Sequence, residues 1–305
     1  MKRLAQGIVL LLVLLLGLLA AAPFTASGTR LLLALLPSFA PLQVEYHSGR
    51  LAGQLRLQEL VLATEDFELR LTDLRTELEP ACLWQSRFCF GQLDLGNLSF
   101  EVFAGGEEDA VAEPTGSEPL LLPVSVLAPV VRIEALQVHW PGGSWQQQRA
   151  SLAVQLNDSG IVVDEALIAG GLLSLDVDPG DAANADPQPL VLPEVALPLS
   201  LVVESLELQA PRLRVGEFEQ GLERLSLGLR WQGAGLALAS LEVDSVEWGT
   251  LNAVGDLHLA GAWPMALQLE ASPANAIVPA AFHGRSLQLR LEGQADALAV
   301  ALSVA

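Results

Sequence analysis

An eight-residue alternation, apolar-x-apolar-x-x-apolar-x-apolar, recurs along the chain. It reads Leu55, Leu57, Leu60, Leu62; then Leu93, Leu95, Leu98, Phe100; then Val131, Ile133, Leu136, Val138. It returns as Leu201, Val203, Leu206, Leu208 and as Leu236, Leu238, Leu241, Val243. The copies start at residues 55, 93, 131, 201 and 236, so the spacings are 38, 38, 70 and 35. The 70 spans two periods, and a degraded copy stands between at Ala166, Ile168, Gly171 and Leu173. Fixed periods of this size mark repeat architectures, whose units bury their apolar faces only by stacking on neighbours.

From Val44 onward the period-two alternation predicts strands. Leu69 and Leu71 alternate with Glu68, Arg70 and Thr72; later come Leu225, Leu227, Leu229, Trp231 and Leu287, Leu289, Leu291. The octet itself contains a parity slip: Gln58 and Glu59 separate Leu57 from Leu60 where strict alternation allows one residue. One extra residue turns the second half of a strand to the other face unless the backbone compensates. A β-bulge compensates and adds twist, so a slip repeated once per unit predicts a sheet curved the same way throughout. A break between two short strands is the alternative.

Helix is expected only at the start. Residues 7–22 are apolar without interruption, with Lys2 and Arg3 ahead of them and Pro23 and Phe24 after. That length lies between a signal-peptide core and a minimal membrane span. The positive residues ahead place the N-terminus in the cytoplasm and everything beyond outside it. Pro23 after Ala20-Ala21-Ala22, and Phe24 ahead of Ala26, disfavour cleavage, so the run reads as a retained transmembrane anchor. A short apolar stretch over residues 31–39, bracketed by Gly28 and Pro37, continues the anchor or lies at the membrane interface. Two segments lack alternation and read as solvated linkers: 105–123, rich in Gly, Glu and Pro, and 179–198, rich in Pro and Asp. The chain thus divides into 1–43 (cytoplasmic tip, anchor, juxtamembrane helix), 44–104, 124–178 and 199–305 (β-repeats), with the two linkers between.

Half of the chain is apolar, mostly Leu, Val and Ala, while aromatic residues make up 5%. The formal charge is −20, from 36 acidic and 16 basic residues, so a polyanion is repelled and nucleic acid is not expected as a partner. The carboxylates keep an apolar-rich β protein soluble. An outer-membrane barrel also alternates but needs aromatic girdles at both interfaces, and a single tyrosine argues against one.

Candidate chemistry is sparse. Cys82 and Cys89 are the only cysteines, and both follow the anchor. In an oxidising compartment such a pair favours a structural disulfide closing a small loop. Two thiols without neighbouring histidines make a poor zinc site, and a redox motif is normally tighter. Asp176, Asp178, Asp181, Asn184 and Asp186 resemble a calcium loop in composition, but Pro179 and Gly180 interrupt them and no glutamate closes the set. His47, His139, His258 and His283 are isolated, and no nucleophile elbow, phosphate loop or dinucleotide fingerprint occurs. No enzyme activity and no cofactor or metal are expected. What is left is the apolar face. With no amphipathic helices to cover it, it must pack on another sheet, curl on itself, or hold an apolar ligand.

Several stretches resemble the N-terminal part of the TamB family, the inner-membrane component of the translocation and assembly module, within the AsmA-like superfamily. They are the anchor followed by Gly28-Thr29-Arg30-Leu31-Leu32, and Ser48-Gly49-Arg50-Leu51-Ala52-Gly53-Gln54-Leu55-Arg56-Leu57, similar to the family's Gly-x-Leu-x-Gly-x-Leu-x-Leu strand. The Cys82 to Cys89 turn, Leu192-Pro193-Glu194-Val195-Ala196-Leu197-Pro198-Leu199 and Ala262-Trp263-Pro264-Met265-Ala266-Leu267 follow in the family's order. The resemblance implies a mainly β fold: an N-terminal transmembrane helix, then an elongated, curved, repeat-type β-sheet forming an open groove, a β-taco. It implies a single-pass protein of the bacterial inner membrane with its bulk in the periplasm. Such proteins support outer-membrane protein and autotransporter assembly and move phospholipids between membranes. The twenty octet residues would then line a groove for phospholipid acyl chains. The implied protein partner is the outer-membrane barrel TamA, engaged by a C-terminal region. Residues 298–305 are a strand-like run with no closing element, so the chain reads as truncated before that region. The alternative is a structural docking scaffold with a packed core and no lipid cargo.

Overall fold

The computed structural model describes residues 21–35, 37, 41–103, 125–158, 160–176, 195–280 and 283–304. The expected anchor up to residue 20, the linker 105–123 and the linker 179–198 as far as residue 194 lie outside the described residues. Among the described residues no helix is long and apolar enough to cross a membrane.

The strands are β1 (Leu42–Gly49), β2 (Gln54–Ala63), β3 (Phe67–Leu78), β4 (Arg87–Val102), β5 (Ser125–Trp140), β6 (Gly143–Asn157), β7 (Gly160–Leu175) and β8 (Leu197–Gln209). They continue as β9 (Arg212–Val215), β10 (Phe218–Gly221), β11 (Arg224–Gly233), β12 (Gly235–Ser245), β13 (Gly249–His258), β14 (Met265–Pro273), β15 (Leu287–Gln294) and β16 (Ala297–Val304). All belong to one open, curved sheet in the order β1 to β8, then β11 to β16; β9 pairs with β7 and with β10. The segments separated by the two linkers therefore share a single sheet. All sixteen strands belong to this one sheet, so there is no second sheet among the described residues.

Neighbours are antiparallel except β4–β5, β7–β8 and β7–β9. A parallel pair needs a long crossover. The two expected linkers sit in the sequence between β4 and β5 and between β7 and β8. The β4–β5 register sets the octets side by side: Leu93 beside Val131, Leu95 beside Ile133, Leu98 beside Leu136, Phe100 beside Val138. The preceding interval of 38 has another origin, since β2 reaches β4 through the antiparallel β3. Equal spacing thus hides unequal connections, and the chain is not a stack of identical units as the period suggests.

What stays constant is the row. Leu55, Thr76, Leu93, Val131, Leu152, Ala166 and Leu206 form one rung across β2 to β8. The degraded copy falls into line: Ala166, Ile168, Gly171 and Leu173 sit opposite Leu152, Ala150, Gln147 and Trp145 of β6, which in turn oppose the β5 octet. At β8 the octet is displaced by five residues. Leu201 and Val203 pair with Ile161 and Val163, while Leu206 and Leu208 meet Ala166 and Ile168. Beyond Leu208 the rows pass to Pro211, at the matching offset, and to Leu213 of β9, which pairs with Leu173. The β8 octet then aligns across β11 with that of β12, and β13 to β16 extend the same four rungs without another octet.

The parity slip takes two forms. In β2 through β7 every strand carries a two-residue spacer at the same level, and the ladders cross it without a register shift. The strands run straight through, which disposes of the broken-strand alternative. On β3 and β7 the second spacer residue is left-handed, Asp73 at φ 51° and Gly170 at φ 66°, and that turn of the backbone resets the faces. Gly96 lies across from Asp73, where a Cβ would come 2.8 Å from the Asp73 Cβ, so the crease needs glycine on β4. In β12, and on the β11 side of β8, the spacer faces a single spacer residue, Gly228 of β11 or Val254 of β13, and there the register shifts as in a true bulge; on its other side β8 runs in step with Asp164 and Glu165 of β7.

One helix does cover part of the face, contrary to the expectation that none would. Thr25 is extended, and its Oγ1 accepts the Gly28 N–H at 3.1 Å, capping α1 (Ala26–Leu35). The helix therefore starts ahead of the predicted stretch. Thr29 is fully buried: its Oγ1 accepts from Leu51 N–H at 3.0 Å and donates to Pro23 O at 3.4 Å. Leu33 packs with Leu55 and Leu57, so α1 closes the β1–β2 end of the apolar face.

Candidate functional site

The twenty octet residues lie on one face, all at least half-buried, and Leu55, Leu57, Leu95, Val131, Ile133 and Leu208 are buried. Their spacer residues Glu204, Ser205, Ala239 and Ser240 are exposed, as the slip requires. The tightest packing is centred on β4 to β6, where Leu95, Ala128, Val131, Ile133 and Ala150 form a buried cluster. Along β13 to β15 the rung side chains stay buried or half-buried, and the face opens at β16. Val300 and Leu302 of β16 are 61% and 66% exposed, although they stand in the same rungs as Val203 and Leu206.

Strand β6, within the expected β-repeat 124–178, carries a further copy of the octet that its polar residues hide. Its rungs are Trp145, Gln147, Ala150, Leu152, Val154 and Leu156, with Gln148 and Arg149 as spacer. Three consecutive glutamines, Gln146 to Gln148, mask the octet, yet the spacing of Ala150 and Leu152 from Trp145 carries the same slip. Gln147 is a polar residue on the apolar face and is only 5% exposed. Trp145 Nε1 donates to Gln147 Oε1 at 3.0 Å. Gly171, in the neighbouring rung position, has no side chain, and the Trp145 ring fills that space.

The other face is polar. Arg70 bonds Glu68 and lies 3.5 Å from Glu59; Arg214 meets Glu219 at 2.9 Å and Arg224 meets Asp244 at 2.8 Å. The hydrogen bond to Glu68, and then the charges of Glu68 and Glu59, hold the Arg70 guanidinium above its ordinary range. Glu219 is held below the usual carboxylate range, first by the Arg214 hydrogen bond and then by its charge. These groups are exposed, and such pairs add little stability. A trough of about 950 Å³ follows the crease on this face, lined by Asp73, Asp94 and Glu134 against Arg75, Arg132 and Arg149. Its charges balance, so it does not single out a charged ligand.

The Cys82 and Cys89 sulfurs are 2.15 Å apart, joining α2 (Pro80–Leu83) to the start of β4 across a loop that carries the exposed Trp84. Of the acidic set only Asp176 falls within the described residues, and among those residues no three metal-ligating side chains cluster. His47, His139 and His258 sit on β1, β5 and β13, apart from one another and from His283.

A family model described as TamB, N-terminal domain, matches residues 15–305. No solved structure matches the chain. The match spans nearly the whole sequence, and the chain belongs to the TamB N-terminal domain family.

Proposed function

We propose that this member of the TamB N-terminal domain family is an inner-membrane-anchored periplasmic protein with a part in outer-membrane protein and autotransporter assembly, alongside the barrel protein TamA. Its apolar face forms one wall of a groove that shelters phospholipid acyl chains in transit between membranes. The observation that carries the lipid reading is the set of four apolar rungs running from β8 to β16 on a single sheet. A face of this kind is otherwise a liability in water, because contiguous exposed apolar area drives association. Sheltered acyl chains would remove that cost, and the acidic polar face would keep the whole soluble.

Photo-crosslinking residues placed at Leu206 and Leu241 test the reading, because these two stand in one rung across β11. Phospholipid adducts are expected at both positions in cells. Adducts only to neighbouring protein side chains would sink the groove and leave the docking scaffold.

A further inference from the structure

We propose that Gln147 is a hydrogen-bonding station on the apolar face, which holds an ester carbonyl of a glycerophospholipid; the assignment rests on the lipid-groove reading above. An indole Nε1 can only donate, so the Gln147 atom that Trp145 meets at 3.0 Å is the carbonyl oxygen. The amide is thereby oriented, with its NH2 turned away from Trp145. That NH2 finds no protein acceptor among the described residues, although the residue is 95% buried, being 5% exposed. It is not a sealed-off atom either: Asn97 Oδ1 is the enclosed side-chain atom left without a partner among the described residues. Because the amide nitrogen is not enclosed, water meets its donors when the face is empty, and a ligand that displaces that water must bring an acceptor of its own.

The surroundings narrow the choice of acceptor. The flanking positions in register are Leu136 and Gly171, with Val138, Leu173, Ile133, Ala150 and Ile168 beyond them. No cation stands among these rungs, so a phosphate oxygen would be poorly matched and a neutral carbonyl well matched. β6 has its backbone paired on both sides, which leaves no free edge for an extended peptide to join. Aliphatic rungs around a neutral donor pair match the junction of acyl chain and glycerol. Gly171 completes the device by leaving room for the Trp145 ring.

The test compares dipalmitoyl phosphatidylethanolamine with its dihexadecyl ether analogue, which has the same headgroup and chain length but lacks the carbonyls. The full chain is offered both lipids together, and bound lipid is counted by native mass spectrometry. The wild-type chain should favour the ester lipid about fivefold, the worth of one neutral hydrogen bond. Gln147→Leu should bind both lipids without preference. As a measurement that needs no variant, the carbonyl stretch of ¹³C-labelled ester lipid should move to lower wavenumber on binding to the wild-type chain. Equal binding of the two lipids by the wild-type chain, an unshifted carbonyl band, or a preference kept by Gln147→Leu overturns the station while leaving the groove in place. No binding of either lipid overturns the groove and the station together.

Discussion

Deleting Ala135 from β5 should be far more damaging than deleting Ala239 from β12, although both residues are the same size and lie in the same spacer of the octet. In β5 the neighbours β4 and β6 carry two-residue spacers at that level, and the ladders cross it without a shift. Removing one residue leaves β5 out of step. Leu136 and Val138 turn to the polar face, and Gln137 and His139 turn inward beside Leu98, Phe100 and Trp145. The two apolar residues are half-buried, so turning them out loses about 1 kcal/mol each. Bringing in Gln137 opposite Gln147 and His139 opposite Trp145 on an otherwise apolar face costs about 1–2 kcal/mol each. The sum is about 4–6 kcal/mol. In β12 the neighbours β11 and β13 have one spacer residue each, so deletion of Ala239 brings the strand into step with both. A change within about 1 kcal/mol is expected there, the residue being exposed. Urea unfolding followed by far-ultraviolet circular dichroism reads the difference; with a slope near 3 kcal/mol per molar, the β5 deletion lowers the midpoint by more than about 1 M. Equal effects from the two deletions would refute the idea that the crease is shared across β2 to β7.

Other expectations concern single sites. Peptide mapping without reductant should recover Cys82 linked to Cys89 from periplasmic material, and Cys89→Ser should cost about 2 kcal/mol for so short a loop; two free thiols would refute it. Gly171→Val puts a Cβ inside the Trp145 ring, so the indole must leave Gln147. Loss of about 2–3 kcal/mol and a shifted tryptophan emission should follow, and an unchanged spectrum would count against the packing described. The folded carboxyl of Glu219 is depressed by Arg214, so its pairing on the β9–β10 hairpin is present above the ordinary glutamate range and is lost as pH falls through the lowered value. Carboxyl titration by NMR should show that depression in the wild-type chain and a weaker one in Arg214→Leu, where Arg212 still stands 3.4 Å from the carboxylate.

The strands and the face each residue takes were legible because alternation is a direct record of which side is dry. The octets at Leu93 and Val131 lie side by side, as equal patterns at equal spacing suggest. Three features were hidden for physical reasons. The helix over Ala26–Leu35 was masked by Gly28, which reads as a breaker but here donates its N–H to the Thr25 cap. The octet of β6 was masked by its glutamines, one of which occupies an apolar rung. The curvature device was assigned to a bulge, yet a bulge is defined against a partner, and one strand's sequence does not say whether its neighbour carries the same spacer. Only the pairing shows that Asp73 faces Gly96 and that the slip is collective between β2 and β7.

That collective slip also explains why a nearly constant period arises without a repeated unit. The steps from β2 to β4 and from β4 to β5 are both 38 residues, but the first is two antiparallel reversals and the second one parallel crossover. The step from β7 to β8 sets residues 40 apart side by side. A connection is constrained only at its ends: it must return the next strand with its dry face and its spacer level with those already in place. A long connection can meet this condition at any length, whereas one residue gained within a strand inverts the rungs beyond it. The alignment of rows is therefore the physical invariant, and the spacing is its shadow. On this argument insertions within residues 105–123 should be tolerated whatever their length, whereas a single residue added between Ile133 and Leu136 should not.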